Sequence, residues 1–311
     1  MTTLNFAQIS DIHISALGDH HDMLSGQSAG FFTNVVSEIN QNDSLDFVLI
    51  TGDLLDTAQQ WELEQFQQIV DTLNKPCFII PGNHDRRDQD ADQGLTRHQF
   101  AQLFNPQILT RPTQSNAQAG YWSIAVSPSV QLVGLDSARD VDWGGQIDAT
   151  QMAWLKQELK NNADKLIVVA VHHPLHQLAP IDSDPNWLNF VCYTGPELLA
   201  LFDDHPQVKL VLTGHHHQTK ADMLGQRLHL ACPSLAIYPC GYRTIKLELQ
   251  PDGGWQIEWR LHHTTDEATV AVAFQKMLTS WQRVGFDVDF VEQLVLLALG
   301  TPNDGDGTAV F

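Results

Sequence analysis

The stretch Phe47-Val48-Leu49-Ile50-Thr51-Gly52-Asp53 joins four consecutive apolar residues to a glycine turn and a carboxylate. A short run that is apolar at every position is typical of a strand buried on both faces of a parallel sheet. Four other apolar runs, at residues 4–9, 77–80, 166–171 and 210–212, are likewise followed by a polar motif. The chain therefore predicts an α/β fold in which polar motifs follow the carboxyl ends of five strands.

Five motifs occupy these strand ends: Asp11-Ile12-His13, Gly52-Asp53, Gly82-Asn83-His84-Asp85, His172-His173-Pro174 and Gly214-His215-His216-His217. In open α/β sheets, ligands bind outside the carboxyl ends of the strands. Each motif alone is an ordinary turn or strand end, but all five in this order, each behind a strand, indicate one shared site.

The residue types of the motifs indicate a pair of metal ions. They supply carboxylate, amide and imidazole groups and no thiolate. Two divalent ions about 3.5–4 Å apart, held by such groups, are the arrangement used for in-line displacement at phosphorus. Mixed oxygen and imidazole ligands suit Mn²⁺, Fe²⁺ or Fe³⁺, and Zn²⁺, whereas oxygen atoms alone would suit Mg²⁺ or Ca²⁺.

The motif set resembles that of the calcineurin-like metallophosphoesterases over residues 4–262, and most closely that of the class III cyclic nucleotide phosphodiesterases and related bacterial phosphodiesterases. Gly145-Gln146 and Gly241-Tyr242-Arg243 match two further segments of that branch. The resemblance implies a four-layer α/β/β/α sandwich of two mixed sheets flanked by helices. It also implies a catalytic domain over residues 1–262, followed by a helical extension over residues 263–311.

Metal ligands are carried over from the family position by position. The implied ligands of the first metal are Asp11, His13, Asp53 and His217, and those of the second are Asp53, Asn83, His172 and His215, with Asp53 bridging. His172 is preferred to His173 because the family's ligand precedes the proline by two positions.

Two further residues have implied catalytic roles. His84 would stabilise the phosphoryl oxygens or protonate the leaving group, and Asp85 would orient His84 or Asn83. Candidate substrate contacts are Arg86, His173, His176 and Tyr193. Trp187 and Tyr193 lie in a segment that could wall the pocket, while His20 and His21 fit a substrate-facing loop and a plain surface loop equally well.

The implied reaction is hydrolysis of a small phosphodiester, with 3′,5′-cyclic nucleotides as candidate substrates, by a hydroxide that bridges the two ions. Two departures from the family's pattern, Leu175 after the proline and Tyr193-Thr194 in the following loop, leave the identity of the substrate open. The alternatives are a phosphomonoesterase, or a hydrolase of nucleotide diphosphates or phospholipid headgroups. A noncatalytic scaffold is disfavoured because every ligand position is filled.

The charge of the chain limits its partners. Lys plus Arg number 17 and Asp plus Glu 37, which gives a net charge of −20. Such an acidic protein repels nucleic-acid polymers and anionic membranes, although bound ions would still attract a small anionic phosphoester. The N-terminal residues lack the basic stretch of an export signal, so we expect a cytoplasmic protein.

Apolar periodicity and turn signals predict the remaining elements. Helices are expected at residues 31–39, 61–73, 148–159, 266–284 and 288–299, and late strands at 227–232, 243–249 and 255–261. Residues 301–307 read as a loose polar tail. The C-terminal helices fit either a clasp over the core or a dimer contact, and related phosphodiesterases are often dimers, which favours a homodimer.

Overall fold

The computed structural model describes residues 2–86, 94–105, 120–185, 187–283 and 285–311. Its strands are β1 Thr3–Ile9, β2 Phe47–Ile50, β3 Cys77–Ile79, β4 Trp122–Ser127, β5 Val130–Gly134, β6 Leu166–Ala170, β7 Val208–Thr213, β8 Lys220–Leu224, β9 Arg227–Ala231, β10 Gly241–Leu249, β11 Trp255–His263 and β12 Gly307–Val310. Its α-helices are α1 Ser28–Gln41, α2 Gln60–Val70, α3 Arg97–Phe104, α4 Ala149–Asn161, α5 Gly195–Asp203, α6 Glu267–Arg283, α7 Val288–Leu299 and α8 Pro302–Gly305.

Within these described residues the strands form two six-stranded mixed sheets. The first has the order β12-β11-β10-β1-β2-β3, and the second has the order β4-β5-β6-β7-β9-β8. Strands β1, β2 and β3 run parallel to one another, as do β5, β6, β7 and β9. All five predicted motif strands therefore belong to the parallel parts of the two sheets.

The two sheets face each other across an apolar core. Phe6 and Leu49 of the first sheet belong to the same buried cluster as Leu132, Leu166 and Leu210 of the second. Burying one such side chain contributes about 1.5–3 kcal/mol to folding. This core holds the carboxyl ends of strands from both sheets next to each other.

Helices cover the outer face of each sheet. α1, α2 and α3 pack on the first sheet through a second apolar cluster that includes Phe32, Phe66 and Phe100. α4 and α5 pack on the second sheet through Leu155 and Phe202. The four-layer α/β/β/α sandwich expected from the resemblance is confirmed.

The start of α4 shows how a local signal sets a helix boundary. The side chain of Asp148 accepts a 2.8 Å hydrogen bond from the backbone N–H of Gln151. Such a cap satisfies one of the backbone donors that the first helical turn leaves without a partner. α4 therefore begins directly after Asp148, where the sequence predicts its cap.

The C-terminal extension differs from the prediction in its last residues. α6 and α7 form where helices were expected and pack against Ile181 and Ile237, although the predicted final position of α6, residue 284, lies outside the described residues. The predicted loose tail instead contains the short helix α8, and β12 pairs with β11 at the edge of the first sheet. The extension is therefore not wholly helical, since its final strand belongs to the sandwich.

In the described parts of the chain, no helix is both long and apolar enough to span a membrane.

Candidate metal centre

The ends of five parallel strands supply the predicted ligands. Because the two sheets pack face to face, these strand ends meet, and side chains more than 200 positions apart in sequence come into contact. The predicted ligands are Asp11 and His13 after β1, Asp53 after β2, Asn83 after β3, His172 after β6, and His215 and His217 after β7.

Five of the predicted ligands have left-handed backbone conformations. The φ angles are 52° at Asp11, 51° at His13, 51° at Asp53, 65° at His215 and 57° at His217. This region is unfavourable for a residue with a Cβ and costs about 1–3 kcal/mol at each position. Such strain persists only where the surroundings impose it, and at these five positions it belongs to turns that aim ligand side chains at one place.

The first group of donor atoms comes from Asp11, His13, Asp53 and His217, which lie within 4.8 Å of one another. Nε2 of His13 is 3.2 Å from Nε2 of His217, and the latter is 3.3 Å from Oδ1 of Asp11. Two ligand atoms that are each about 2.1 Å from one ion lie about 3.0–3.4 Å apart for bond angles between 90° and tetrahedral. The spacing therefore fits a shared cation.

The second group contains Asp53, His172 and His215, again within 4.8 Å. Nε2 of His172 is 3.2 Å from Oδ2 of Asp53 and 3.2 Å from Oδ1 of Asn83. Nε2 of His215 lies 3.1 Å from the carbonyl oxygen of Asn189, so it donates there and leaves Nδ1 as the ring's acceptor. The second group thus also presents several acceptor atoms to one place.

The tautomer of His172 tests whether a cation fits. Nδ1 of His172 donates to the carbonyl oxygen of Thr51 at 2.7 Å, so the lone pair of the neutral ring is on Nε2. That lone pair faces the oxygens of Asp53 and Asn83, and acceptors placed this way repel unless a positive charge lies between them. Burial acts to lower the pKa of His172, but the carboxylate of Asp53 raises it to about 9. A metal ion would take the place of this proton.

Asp53 is shared by both groups. Its Oδ1 accepts the backbone N–H of His84 at 2.9 Å, while its Oδ2 faces His172 at 3.2 Å and His13 at 3.9 Å. Burial alone would raise the pKa of Asp53, but the neighbouring imidazoles of His172, His84 and His13 hold it well below its usual value. The carboxylate is therefore ionised and presents one oxygen between the two groups.

Two glycines are required by the close approach of these turns. A Cβ on Gly82 would collide with the carboxylate and backbone nitrogen of Asp53, and one on Gly214 would collide with Ser10 and the carboxylate of Asp11. Any larger residue at either position would displace a predicted ligand. The glycines of the motifs thus allow adjacent strand ends to touch.

His84 lies beside both groups with one ring nitrogen fixed. Nδ1 donates to the carbonyl oxygen of Asp56 at 2.6 Å, which leaves Nε2 for other contacts. Burial acts to lower the pKa of His84, but Asp53 and Asp56 outweigh it and the net shift is upward. The ring is 4.8 Å from that of His13, in an edge-to-face arrangement. The raised pKa of His84 and the availability of its Nε2 are compatible with donation of a proton.

The side chain of Asp85, predicted to orient His84 or Asn83, bonds three backbone N–H groups. Its Oδ1 accepts backbone N–H bonds from Leu54 at 2.9 Å and Leu55 at 3.1 Å, and its Oδ2 accepts that of Gly82 at 2.9 Å. These bonds fix the backbone beside two predicted ligands and do not orient the ring of His84. Asp85 is thus a buried positioning residue for two turns.

The predicted substrate contact of His173 does not fit its surroundings. Nδ1 of His173 is 2.8 Å from Oγ of Ser137, and its Nε2 is 3.0 Å from the carbonyl oxygen of Trp143. Burial, together with the neighbouring His172, lowers the pKa of His173 to about 3, so the ring is neutral. Protein groups occupy both nitrogens, which leaves neither for a substrate.

His176 is likewise engaged by the protein. Its Nε2 is 3.0 Å from Oδ2 of Asp222, and its Nδ1 is 2.8 Å from Nδ1 of His229. Asp222 lies in β8 and His229 lies in β9, the two strands at one end of the second sheet. The predicted contact between His176 and a substrate therefore has no free ring nitrogen to form it.

A cavity of about 550 Å³ opens beside the ligand groups, and Asn83 and His84 line it. Its wall also contains Trp143, which is 39% exposed, and Arg139. The ring of Trp143 lies 5.9 Å from that of the predicted ligand His215. The cavity thus brings an aromatic side chain next to the ligands.

Arg86, a predicted substrate contact, also lines this cavity. Its Nη2 is 2.7 Å from Asp140, and its Nη1 is 3.4 Å from the buried carboxylate of Asp136. Among the described residues, Nε and Nη1 of Arg86 have no hydrogen-bond partner. The charge of the guanidinium is paired with Asp136 and Asp140, and its Nε keeps a donor that no described residue accepts.

Tyr193 and Trp187, the two aromatic residues of the segment that could wall the pocket, lie in different surroundings. Tyr193 is 42% exposed, its hydroxyl donates to Oδ1 of Asn189, and the guanidinium of Arg139 is 5.0 Å from its ring centre. Trp187 instead packs in the apolar cluster of the C-terminal helices, against Trp281 and other rings. Tyr193 therefore stays a candidate for the rim of the cavity, whereas Trp187 is a packing residue.

Three residues of the site were missing from the sequence-based set. Asp56 holds His84, Trp143 lines the cavity, and Asn189 bonds His215. Asp56 lies three positions after the predicted ligand Asp53, and this closeness in sequence could have identified it as a residue of the site. Trp143 lies in an irregular segment and Asn189 in a single 3-10 turn, and neither carries such a signal.

Comparisons with known proteins agree with this geometry. The sequence profile described as calcineurin-like phosphoesterase matches residues 4–219. The chain is 29% identical, over 83% of its length and 92% of the relative, to a probable cyclic nucleotide phosphodiesterase of Synechococcus sp.. It is 27% identical, over 68% of its length and 70% of the relative, to a glycerophosphodiester phosphodiesterase of Enterobacter lignolyticus.

A solved structure shares the fold. A dimetal phosphatase from Danio rerio superposes with a TM-score of 0.63 at 15% identity, covering 85% of this chain and 97% of that one. The matching family uses divalent metals, and the strand ends of this chain carry clusters of donor residues suited to them. The chain therefore belongs to the calcineurin-like phosphoesterase family.

Proposed function

We propose that this protein hydrolyses small phosphodiesters with two divalent metal ions held by Asp11, His13, Asp53, Asn83, His172, His215 and His217. The convergence of the two donor groups on Oδ2 of Asp53 carries the proposal. When bound, the ions supply Lewis-acid stabilisation of the phosphoryl oxygens and an activated water. Mn²⁺, iron and Zn²⁺ all suit the donor set.

The chain's own residues orient the site and supply a proton. His84 lines the cavity, and its Nε2 gives a proton to the leaving oxygen as the P–O bond breaks. A positioned general acid of this kind contributes about 10²–10⁴-fold to the rate. Asp85 keeps the turns of Asp53 and Asn83 in place through three backbone bonds. No side chain of the site acts as a nucleophile in this scheme.

The cavity favours a nucleotide over a glycerophosphodiester. Trp143 offers an exposed aromatic face beside His215, and Arg86 and Arg139, paired with Asp140 and Asp142, line the same wall. Stacking of a base on an aromatic side chain is worth about 1–3 kcal/mol. The named relatives include both cyclic nucleotide and glycerophosphodiester enzymes. We therefore propose 3′,5′-cyclic nucleotides as the first substrates to test.

The reaction class is tested with two synthetic substrates on one preparation. Mn²⁺-supported hydrolysis of bis(p-nitrophenyl) phosphate is compared with that of p-nitrophenyl phosphate, with Asp53→Ala as the inactive control. We expect a preference for the diester. A preference for the monoester would favour the phosphomonoesterase alternative, and activity on neither, with metal bound, would favour the scaffold.

The substrate class is tested with Trp143→Ala. The variant should lower kcat/KM for a 3′,5′-cyclic nucleotide by about tenfold, as expected for the loss of one stacking contact, while leaving a glycerophosphodiester almost unaffected. Trp61→Ala is the matched control, because Trp61 is a 47% exposed tryptophan of α2 outside the cavity wall. Equal losses on both substrates would contradict base stacking.

The expected partners rest on charge and on the relatives. A net charge of −20 disfavours nucleic-acid polymers and anionic membranes. The phosphodiesterases among the relatives support a small phosphoester as the substrate. The division at residue 262, the homodimer and the cytoplasmic location stay predictions. Light scattering of the purified protein measures the oligomeric state directly.

A further inference from the structure

The C-terminal extension contacts the loop that follows the first ligand motif. Oγ of Ser280 donates to the carbonyl oxygen of His21 at 2.7 Å. Nε1 of Trp281 donates to Oδ2 of Asp22 at 2.9 Å. Both donors lie in the last turn of α6, so one end of that helix fixes two consecutive residues of the loop.

The same loop places His20 against a buried carboxylate. Nε2 of His20 is 2.9 Å from Oδ2 of Asp56, a residue that is only 5% exposed and whose carboxylate also accepts a bond from the hydroxyl of Ser15. Nδ1 of His20 is 3.0 Å from Oγ of Ser25, which itself donates to the carbonyl oxygen of Gly18. Nδ1 of His20 is therefore held by Ser25, while its Nε2 lies at ion-pair distance from the carboxylate of Asp56 without a hydrogen bond between them.

Asp56 in turn fixes the ring of His84. Its carbonyl oxygen accepts Nδ1–H of His84 at 2.6 Å, and its Oδ1 lies 3.9 Å from the same nitrogen. This bond sets the tautomer and the direction of the imidazole, because a ring whose Nδ1 is bonded to a carbonyl presents Nε2 on the opposite side. The position of Asp56 therefore decides where the proton of His84 points.

We propose that α6 and His20 are positioning elements for His84, acting through Asp56. α6 holds residues 21 and 22, the loop presents His20, His20 holds Asp56, and Asp56 directs His84 at the leaving oxygen. This inference rests on the proposed role of His84 as general acid. It gives the C-terminal extension a function in the chemistry of the same chain.

The start of the loop is held independently of α6. Glu62, which is fully buried, accepts the backbone N–H groups of Ala16 at 3.1 Å and Thr57 at 2.9 Å. These bonds tie the residues just after the first ligand motif to the segment that follows Asp56. Loss of the α6 contacts should therefore disturb His20 while leaving the metal ligands in place.

The test uses the dependence of the rate on the leaving group. A general acid matters for a poor leaving group and little for a good one, so methyl phenyl phosphate and methyl 4-nitrophenyl phosphate separate its contribution. His20→Asn and Trp281→Phe are compared with His84→Ala as the reference. His21→Asn is the matched control, because His21 is an exposed histidine of the same loop and its backbone carbonyl contact to Ser280 is retained.

We expect His84→Ala and His20→Asn to lower kcat at least about tenfold on methyl phenyl phosphate and less than about threefold on methyl 4-nitrophenyl phosphate. Trp281→Phe should show the same selectivity with a smaller loss, and His21→Asn should show none. Metal content should remain at the wild-type level in all four variants. Equal losses of His20→Asn on both substrates, or no loss, would overturn the proposal while leaving the role of His84 intact.

The reference variant separates this proposal from the proposed function. If His84→Ala itself shows no leaving-group selectivity, the general-acid role fails and the positioning role fails with it.

A second readout of the positioning role does not depend on catalysis. In the metal-free protein, the Nδ1–H proton of His84 should give a slowly exchanging imidazole NMR signal, and His20→Asn should broaden or remove it. A signal unchanged in His20→Asn would also overturn the positioning role.

Discussion

The backbone N–H of His84 donates to Oδ1 of Asp53 at 2.9 Å, so the turn that carries the proposed general acid also orients the carboxylate shared by both ligand groups. Oδ2 of Asp53 is thereby left facing His172 at 3.2 Å. The two proposed functions of the site, binding metal and donating a proton, are coupled through a single hydrogen bond.

Asp53→Ala should remove the shared ligand and with it both ions. Metal analysis of the purified variant should show less than about one ion per chain, and diester hydrolysis should fall by at least about 10³-fold, since metal activation of water is lost. Asp46→Ala is a suitable control, because Asp46 is an exposed carboxylate that accepts the backbone N–H of Asn5 far from the ligand groups. Full activity with two bound ions would contradict the bridging assignment.

His172→Ala and His173→Ala should separate a ligand from a structural histidine. The first removes a donor atom that faces Asp53, so bound metal should fall. The second removes the ring bonds to Oγ of Ser137, which keeps the backbone N–H of residue 173, and to the carbonyl oxygen of Trp143. The loss of each bond costs about 0.5–1.5 kcal/mol of stability. Chemical denaturation and metal analysis together measure both effects, and greater metal loss in His173→Ala would reverse the assignment.

The five strand ends were predictable because their signals are local. Each apolar run and the polar turn after it are adjacent in sequence, so the fold class and the position of the site at the strand ends could be predicted from local signals, whereas the individual ligands were predicted from the resemblance to the family. β12 was missed because it is a four-residue edge strand, and its pairing with β11 joins segments that are distant in sequence. Unlike the equally short β2, it has no continuous apolar run, because Gly307 and Thr308 fill half of it.

Contacts between loops were not predictable in the same way. The role of Asp56 and the cavity position of Trp143 depend on segments that meet only in three dimensions. Neighbouring histidines also differ at the end of β6, where His172 faces a shared carboxylate and His173 faces Ser137. The sequence indicates that this strand end is polar, but the direction of each ring follows from the partners that the second sheet and its loops provide.

Asp85→Asn should weaken the site without removing any ligand. The amide that replaces one carboxylate oxygen would place a donor against a backbone N–H of Gly82 or of Leu54 and Leu55. We expect a loss of about 1–3 kcal/mol in the free energy of unfolding of the metal-free protein, together with weaker metal binding. Denaturation and a metal titration measure the two losses. An Asp85→Asn protein with unchanged stability would show that these backbone bonds do not hold the turns.

His229→Gln should change how stability depends on pH. Burial, with a smaller contribution from His176, holds the pKa of His229 well below the ordinary value of 6.5, so the folded state keeps this ring neutral. As pH falls below 6.5, the unfolded state binds a proton that the folded state does not, and stability decreases by about 1.4 kcal/mol for each pH unit. Glutamine cannot titrate, so the variant should lose less stability between about pH 7.5 and pH 5.5 than the wild type does. Urea denaturation at both pH values measures the difference, and equal losses in the two proteins would show that His229 does not contribute to acid sensitivity.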